Sequence, residues 1–185
     1  MIWELPRSVT VADTEYRIDS DYRSILDILC AFNDPDLSDN EKVYICLYIF
    51  YPDFESIPGD SYEAAFKSAL EFIDYMTKSD NPNAPHTMDW EQDANLIFPA
   101  VNSVAGFEVR NVPYMHWWTF MGYFMEINNG VFSQVLSVRQ KRAKGKKLEK
   151  WEQEFWSANK NICVLKTRLS ADEQAKKDKL NAMLG

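Results

Sequence analysis

The sequence predicts a mostly α protein: about six to eight helices, a small N-terminal β-hairpin and a basic C-terminal helical tail. Three observations carry this. Apolar residues recur at steps of three and four from Asp19 onward, while strict alternation is confined to the first segment. At two expected helix starts a serine stands three residues before a glutamate, Ser38/Glu41 and Ser170/Glu173, the spacing of a helix capping box. Hydrophobic residues make up 46% of the 185 positions and aromatics 14%, enough to bury a core.

The elements follow in order. "RSVTVADTEYRID" places Val9, Val11, Tyr16 and Ile18 in alternation about Ala12–Asp13–Thr14, a hairpin pattern. In "DSDYRSILDILCAFN", Tyr22, Ile25, Leu26, Leu29 and Cys30 share one helical face, with Asp19 or Ser20 as cap. "LSDNEKVYICLYIFYP" reads as a helix from Ser38 to Pro52. A third helix from Asp60 or Ser61 carries the stripe Tyr62, Phe66, Ala69, Leu70, Ile73 and Met76, and "KSDNPNAPH" (Lys78 to His86) is a loop. "TMDWEQDANLIFPAVNSVAG" predicts a helix capped by Thr87 or Asp89 and stopped at Gly106, with Pro99 kinking or splitting it near Ile97. "VPYMHWWTFMGYFMEINNG" follows, with His116, Trp117, Phe120, Met121 and Phe124 on one face. Phe132, Val135 and Leu136 begin a short helix. "RQKRAKGKK" (Arg139 to Lys147) reads as a linker or frayed helix. Beyond it Leu148, Trp151, Phe155, Ala158, Ile162, Leu165 and Leu169 make an a/d seam over three heptads.

Charge divides the chain. Residues 1–138 hold 7 Lys+Arg against 22 Asp+Glu, a balance of −15, and residues 139–185 hold 13 against 6, a balance of +7. The expected organisation is an acidic helical body with the hairpin (1–138), then a basic linker and C-terminal helices (139–185). No apolar run approaches a membrane span, and "MIWELPRSV" lacks the basic start of a secretory signal, so the cytoplasm is the expected compartment. Cys30, Cys46 and Cys163 lie among apolar neighbours without C-x-x-C spacing, as buried free thiols do.

Catalytic chemistry finds no foothold. His116 has no ligand set for zinc and no nucleophile setting such as G-x-S-x-G, so a hydrogen-bonded histidine within an aromatic cluster is the favoured role. Asp89 and Asp93 form an i,i+4 pair, a weak cation site. Asp89 suits a helix N-terminus, leaving Asp93 to pair with a cation such as Arg110. "AKGKKLEK" lacks the first glycine of a phosphate loop, so no cofactor is expected. The basic run can neutralise phosphates, but the acidic body and the absence of interleaved aromatics disfavour nucleic acid.

Taken together, four elements in order resemble the bacteriophage gene-product-fifteen family, found in tail modules of long-tailed phages and prophages of Gram-positive bacteria. They are "ELPRSVTVADTEYRIDSDYR", "LSDNEKVYICLYIFYPD", "MDWEQDANLIFPAVNSVAGFEV", and "YMHWWTFMGYF" with the basic "VRQKRAKGKK". The likeness runs from about Leu5 to Lys150. It implies a non-enzymatic tail assembly chaperone of the host bacterial cytoplasm, with the tape-measure protein as partner and the tail tube protein as a second candidate. It also implies that Asp89, Trp90, Glu91, Gln92, Asp93, His116, Trp117, Trp118 and Phe120 are fold signatures, with His116 fixing a junction between two helices. Two features depart from the pattern: Pro99, and "ADT" in place of an Asn-Gly turn. The candidate partner surface is the tail seam, with Leu148, Trp151, Phe155, Trp156, Ile162 and Leu165 as its contacts. The alternatives are a permanent component of the tail or head–tail junction, and a nucleic-acid or host-factor binder acting through the basic tail.

Overall fold

Near Asp19 the alternating pattern of a strand gives way to the period of a helix, and the backbone changes with it. A computed structural model describes residues 3–75 and 85–184, and within them the chain forms two strands and nine α-helices. The helices are α1 (Tyr22–Phe32), α2 (Asp39–Phe50), α3 (Tyr62–Ile73), α4 (Ala94–Ala105), α5 (Trp117–Met125), α6 (Val131–Ala143), α7 (Lys150–Ala158), α8 (Lys160–Cys163) and α9 (Ala171–Leu184). No helix of the described residues is long and apolar enough to cross a membrane. Met76 and residues 78–84 of the expected loop lie outside the described residues.

Two compact units divide the chain. One comprises Pro6–Asp19, Ser24–Phe72 and Lys166–Gly185. Its hairpin pairs β1 (Ser8–Val11) with β2 (Thr14–Arg17), Val11 opposite Thr14. Thr14 therefore opens the second strand and the loop is only Ala12–Asp13, at φ 46° and 66°. A two-residue loop with both residues at positive φ matches the twist of its strands, which is why Asn-Gly is the more usual choice. Ser38 caps α2 in a complete capping box with Glu41, and Ser170 with Glu173 repeats the arrangement before α9. Both were legible from spacing alone. The core gathers Val11, Ile18, Ile25, Ile28, Leu47, Phe50 and Phe72. The buried face of α1 is thus Ile25 and Ile28, with Leu26 and Leu29 half-buried at its edges.

The other unit comprises Met1–Leu5, Ser20–Arg23 and Ile73–Leu165. Its core is Tyr22, Ile97, Val101, Val109, Trp117, Phe120, Met121, Phe132, Val135 and Val138. Three expectations change here. The cap of α1 is Asp21, whose carboxylate accepts from the Arg23 backbone N–H at 2.9 Å, not Asp19 or Ser20. The segment Asp89–Asp93 is a turn, and α4 starts only at Ala94. Pro99 does not split α4, which runs through it to a left-handed Gly106 C-cap.

Pro99 is exposed, and it denies the helix one backbone bond. Its interior penalty of ~3 kcal/mol is offset by ~1 kcal/mol from the freedom proline removes from the unfolded chain. Pro99→Ala is accordingly expected to stabilise the protein by about 1–2 kcal/mol in urea denaturation. A loss of stability would show that the proline is required by the packing of α4.

The tail also differs. The sequence suggests a continuous seam from Leu148 to Leu169, but the helix breaks at Asn159 and no helix spans 164–170. Asn159 Nδ2 donates to the Phe155 carbonyl at 2.9 Å, a local bond that competes with helix continuation. "RQKRA", expected as linker or frayed helix, is instead the last part of α6.

Candidate functional site

The signature "DWEQD" builds a turn that caps itself. Asp89 Oδ1 accepts from the backbone N–H groups of Glu91 and Gln92 at 3.0 and 2.8 Å. Asp93 Oδ2 reaches back to the Asp89 N–H at 3.0 Å. Two short acidic side chains bonding nearby backbone favour this turn over a helix, so Asp89 and Asp93 are not an i,i+4 pair on one helix face. Trp90 projects into the aromatic core, 4.9 Å from the Phe124 ring and 6.1 Å from Trp117. Glu91 is exposed and Gln92 half-buried.

Asp93 pairs with Arg139, the first residue of the run read as linker, and Arg110 pairs instead with Glu108 two residues away. The Asp93–Arg139 contact is a buried two-pronged bond: Nη1 to Oδ2 at 2.7 Å and Nη2 to Oδ1 at 2.8 Å, with side chains 3% and 6% exposed. Nη1 also donates to the Thr87 carbonyl at 3.0 Å, Nη2 to Ile162 at 2.6 Å, and Nε to Cys163 at 2.9 Å. All five guanidinium N–H groups thus have partners. A buried charge is tolerable only when satisfied in this way. The donation to Ile162 and Cys163 also fills carbonyls at the end of α8, where a cation favours termination. The signal for Arg139 was present in the sequence: it continues the apolar row of Phe132 and Val135 at helical spacing.

His116 is the N-cap of α5. Its Nδ1 accepts from the Trp118 backbone N–H at 3.1 Å, which leaves the ring proton on Nε2. Around it the starts of α1 and α5 are laced together. Tyr22 N–H donates to the Met115 carbonyl at 3.0 Å and Trp117 N–H to Ser20 at 2.7 Å, with Asp21 opposite His116. Trp117 is buried and its indole N–H donates to the Ile73 carbonyl at 3.0 Å. Phe120 stacks on Tyr22 at 4.5 Å. Trp118 points elsewhere and stacks on the exposed Tyr75 at 4.2 Å. His116 and Trp117 are therefore parts of a junction between helices. Because asparagine caps well and alanine does not, His116→Ala is expected to cost about 1 kcal/mol and His116→Asn only a few tenths, roughly. Equal losses in thermal denaturation would rule out the cap as the role of this side chain.

The candidate partner residues run from Leu148, just before α7, through α7 and α8 to Leu165 just after them. Leu148 is buried, Phe155, Trp156, Ile162 and Leu165 are half-buried, and Trp151 is 53% exposed. Arg142 lies over the Trp156 ring at 4.2 Å, beside a groove of about 480 Å³ lined by Lys146, Leu148 and Gln153. Lys141 donates to the buried Glu152 at 2.6 Å, and that bond holds the Glu152 carboxyl below its ordinary range. Glu152 closes a capping box with Glu149. Burial pushes the Cys163 thiol up, and that of Cys46 to about 12, so neither presents a ready thiolate. Cys30 is only half-buried. Among the described residues no group of three or more His, Cys, Asp or Glu is placed to hold a metal ion.

Fold and site together define a helical protein whose marked motifs hold its own segments in register and whose tail presents aromatic surface. The chain belongs to the family described as Bacteriophage Gp15 protein, whose family model matches residues 1–165. That span includes the hairpin, the "DWEQD" turn, the "HWW" junction and α7 with α8. Membership indicates a phage-related structural or assembly role. No curated protein and no solved structure matches the chain.

Proposed function

We propose that the protein is a non-enzymatic phage tail assembly chaperone that binds the tape-measure protein in the host cytoplasm and assists assembly of the tail tube. The observation that carries this reading is Trp151 on α7. A tryptophan 53% exposed, one helical turn before the half-buried Phe155, is a large apolar side chain of the kind that anchors protein interfaces. Family membership supports the phage setting. Against nucleic acid, the basic run is partly engaged within the protein: Arg139 by Asp93, Lys141 by Glu152 and Arg142 by Trp156.

Co-expression with the neighbouring tape-measure protein tests the proposal. The tape measure is expected to stay soluble and co-purify with the wild type, and to lose the association with Trp151→Ala combined with Phe155→Ala. If the tape measure stays insoluble and purified virions contain this chain, the permanent tail component is the correct reading. If a folded double variant still co-purifies, the α7 surface is the wrong one.

A further inference from the structure

A second aromatic surface lies on the other unit, on the element "LSDNEKVYICLYIFYPD" and the turn after it. Tyr44 and Tyr48 stand one turn apart on α2, 55% and 64% exposed, with their rings stacked at 6.1 Å. The ring of Phe54, buried in the 3₁₀ turn Phe54–Ser56, meets Tyr44 edge-on at 5.5 Å and Tyr48 at 6.5 Å. Behind it Tyr62 packs at 5.1 Å, so the floor is fixed by the core. Tyrosine rings this exposed cost contact with water and stabilise little, and two of them together over a buried phenylalanine form a concave aromatic face. The groove they border, with Pro52 and Glu55, measures about 550 Å³.

Its charge selects the occupant. Asp53 and Glu55 sit at the lip, and Glu41 lies one turn before Tyr44 on α2. Arg17 approaches Asp53 at 3.8 Å, but no ion pair among the described residues engages Glu55. The unit as a whole holds 9 Lys+Arg against 16 Asp+Glu, a balance of −7. Phosphate is repelled by such a surface, while a lysine or arginine gains both the carboxylates and the negative faces of the tyrosine rings. We propose that the Tyr44–Tyr48–Phe54 groove binds a basic segment of a partner protein, its Lys or Arg stem lying across the tyrosine faces and its apolar neighbours entering over Phe54. This site is independent of the α7 surface, so either can fail alone.

Fluorescence anisotropy with the full chain is the test. The probe is a short labelled peptide interspersing lysine and arginine with leucine and proline; its counterpart carries glutamate at each basic position. The basic peptide is expected to bind, more weakly as salt rises, and the acidic one not to bind. Tyr44→Ala with Tyr48→Ala keeps every charge, so non-specific attraction survives in it; affinity is nonetheless expected to fall about tenfold. Glu55→Gln is expected to weaken binding about threefold. The proposal is overturned if the double variant binds as the wild type does, or if both peptides bind alike. Should the double variant misfold, Tyr48→Lys places a like charge on the rings, and unchanged binding there is equally fatal. Light scattering of the protein alone covers the remaining occupant. A dimer dispersed by Tyr48→Lys makes the face a contact between two copies of this chain and also overturns the proposal.

Discussion

Arg139→Ala is expected to lower stability by about 3–5 kcal/mol, the cost of leaving one partner of a buried ion pair uncompensated. The removal strands Asp93 and takes the donor from three backbone carbonyls, those of Thr87, Ile162 and Cys163. Arg139→Lys should recover little, since a point charge on a flexible stem cannot replace a planar fork with five donors. Asp93→Ala leaves the guanidinium buried without its carboxylate and is expected to cost nearly as much, about 3–5 kcal/mol. The double variant separates the terms. If the ion pair dominates, the combined loss falls well short of the sum of the single losses, and coupling of 1 kcal/mol or more, roughly, appears. The remaining loss then reports the stranded carbonyls, at about 1–3 kcal/mol each for those that stay buried. Additive single losses in urea denaturation would mean that Arg139 acts through the carbonyls alone.

This cluster also shows where a sequence stops being legible. The capping boxes at Ser38 and Ser170 and the Gly106 stop were readable because each is a contact within one turn of chain, fixed by spacing. The partners of Arg139 were not, because its carboxylate lies 46 positions upstream and its carbonyls 52 upstream and 23 and 24 downstream. Composition reads such an arginine as one more cation in a basic run. The "DWEQD" turn was missed for the opposite reason. Its residues form acceptable helix by pattern, but Asp89 and Asp93 bond neighbouring backbone groups and hold the chain out of helix until Ala94. The tail seam fails in the same way, at Asn159, and Arg139 caps what remains. The two sources of error therefore meet in one place.

Neighbouring tryptophans in "HWW" give the sharpest contrast of any pair in the chain. Trp117→Ala removes an indole 2% exposed, ringed by Trp90 and Phe120 at 6.1 and 5.9 Å. Cavity formation alone puts the loss at about 3–5 kcal/mol, and the stranded Ile73 carbonyl adds about 1 kcal/mol. Trp117→Phe keeps most of the packing and loses the donor, so about 1–3 kcal/mol is expected. Trp118→Ala, one residue on, removes a half-buried ring that stacks on an exposed tyrosine and meets His116 edge-on, about 0.5–1.5 kcal/mol for each ring pair. Circular dichroism of the three variants in a urea series measures the order. The ranking Trp117→Ala, then Trp117→Phe, then Trp118→Ala is what a packed junction between helices requires. A Trp118 loss as large as that of Trp117 would instead place the strain-bearing contact at Tyr75, and the junction reading of "HWW" would have to be abandoned.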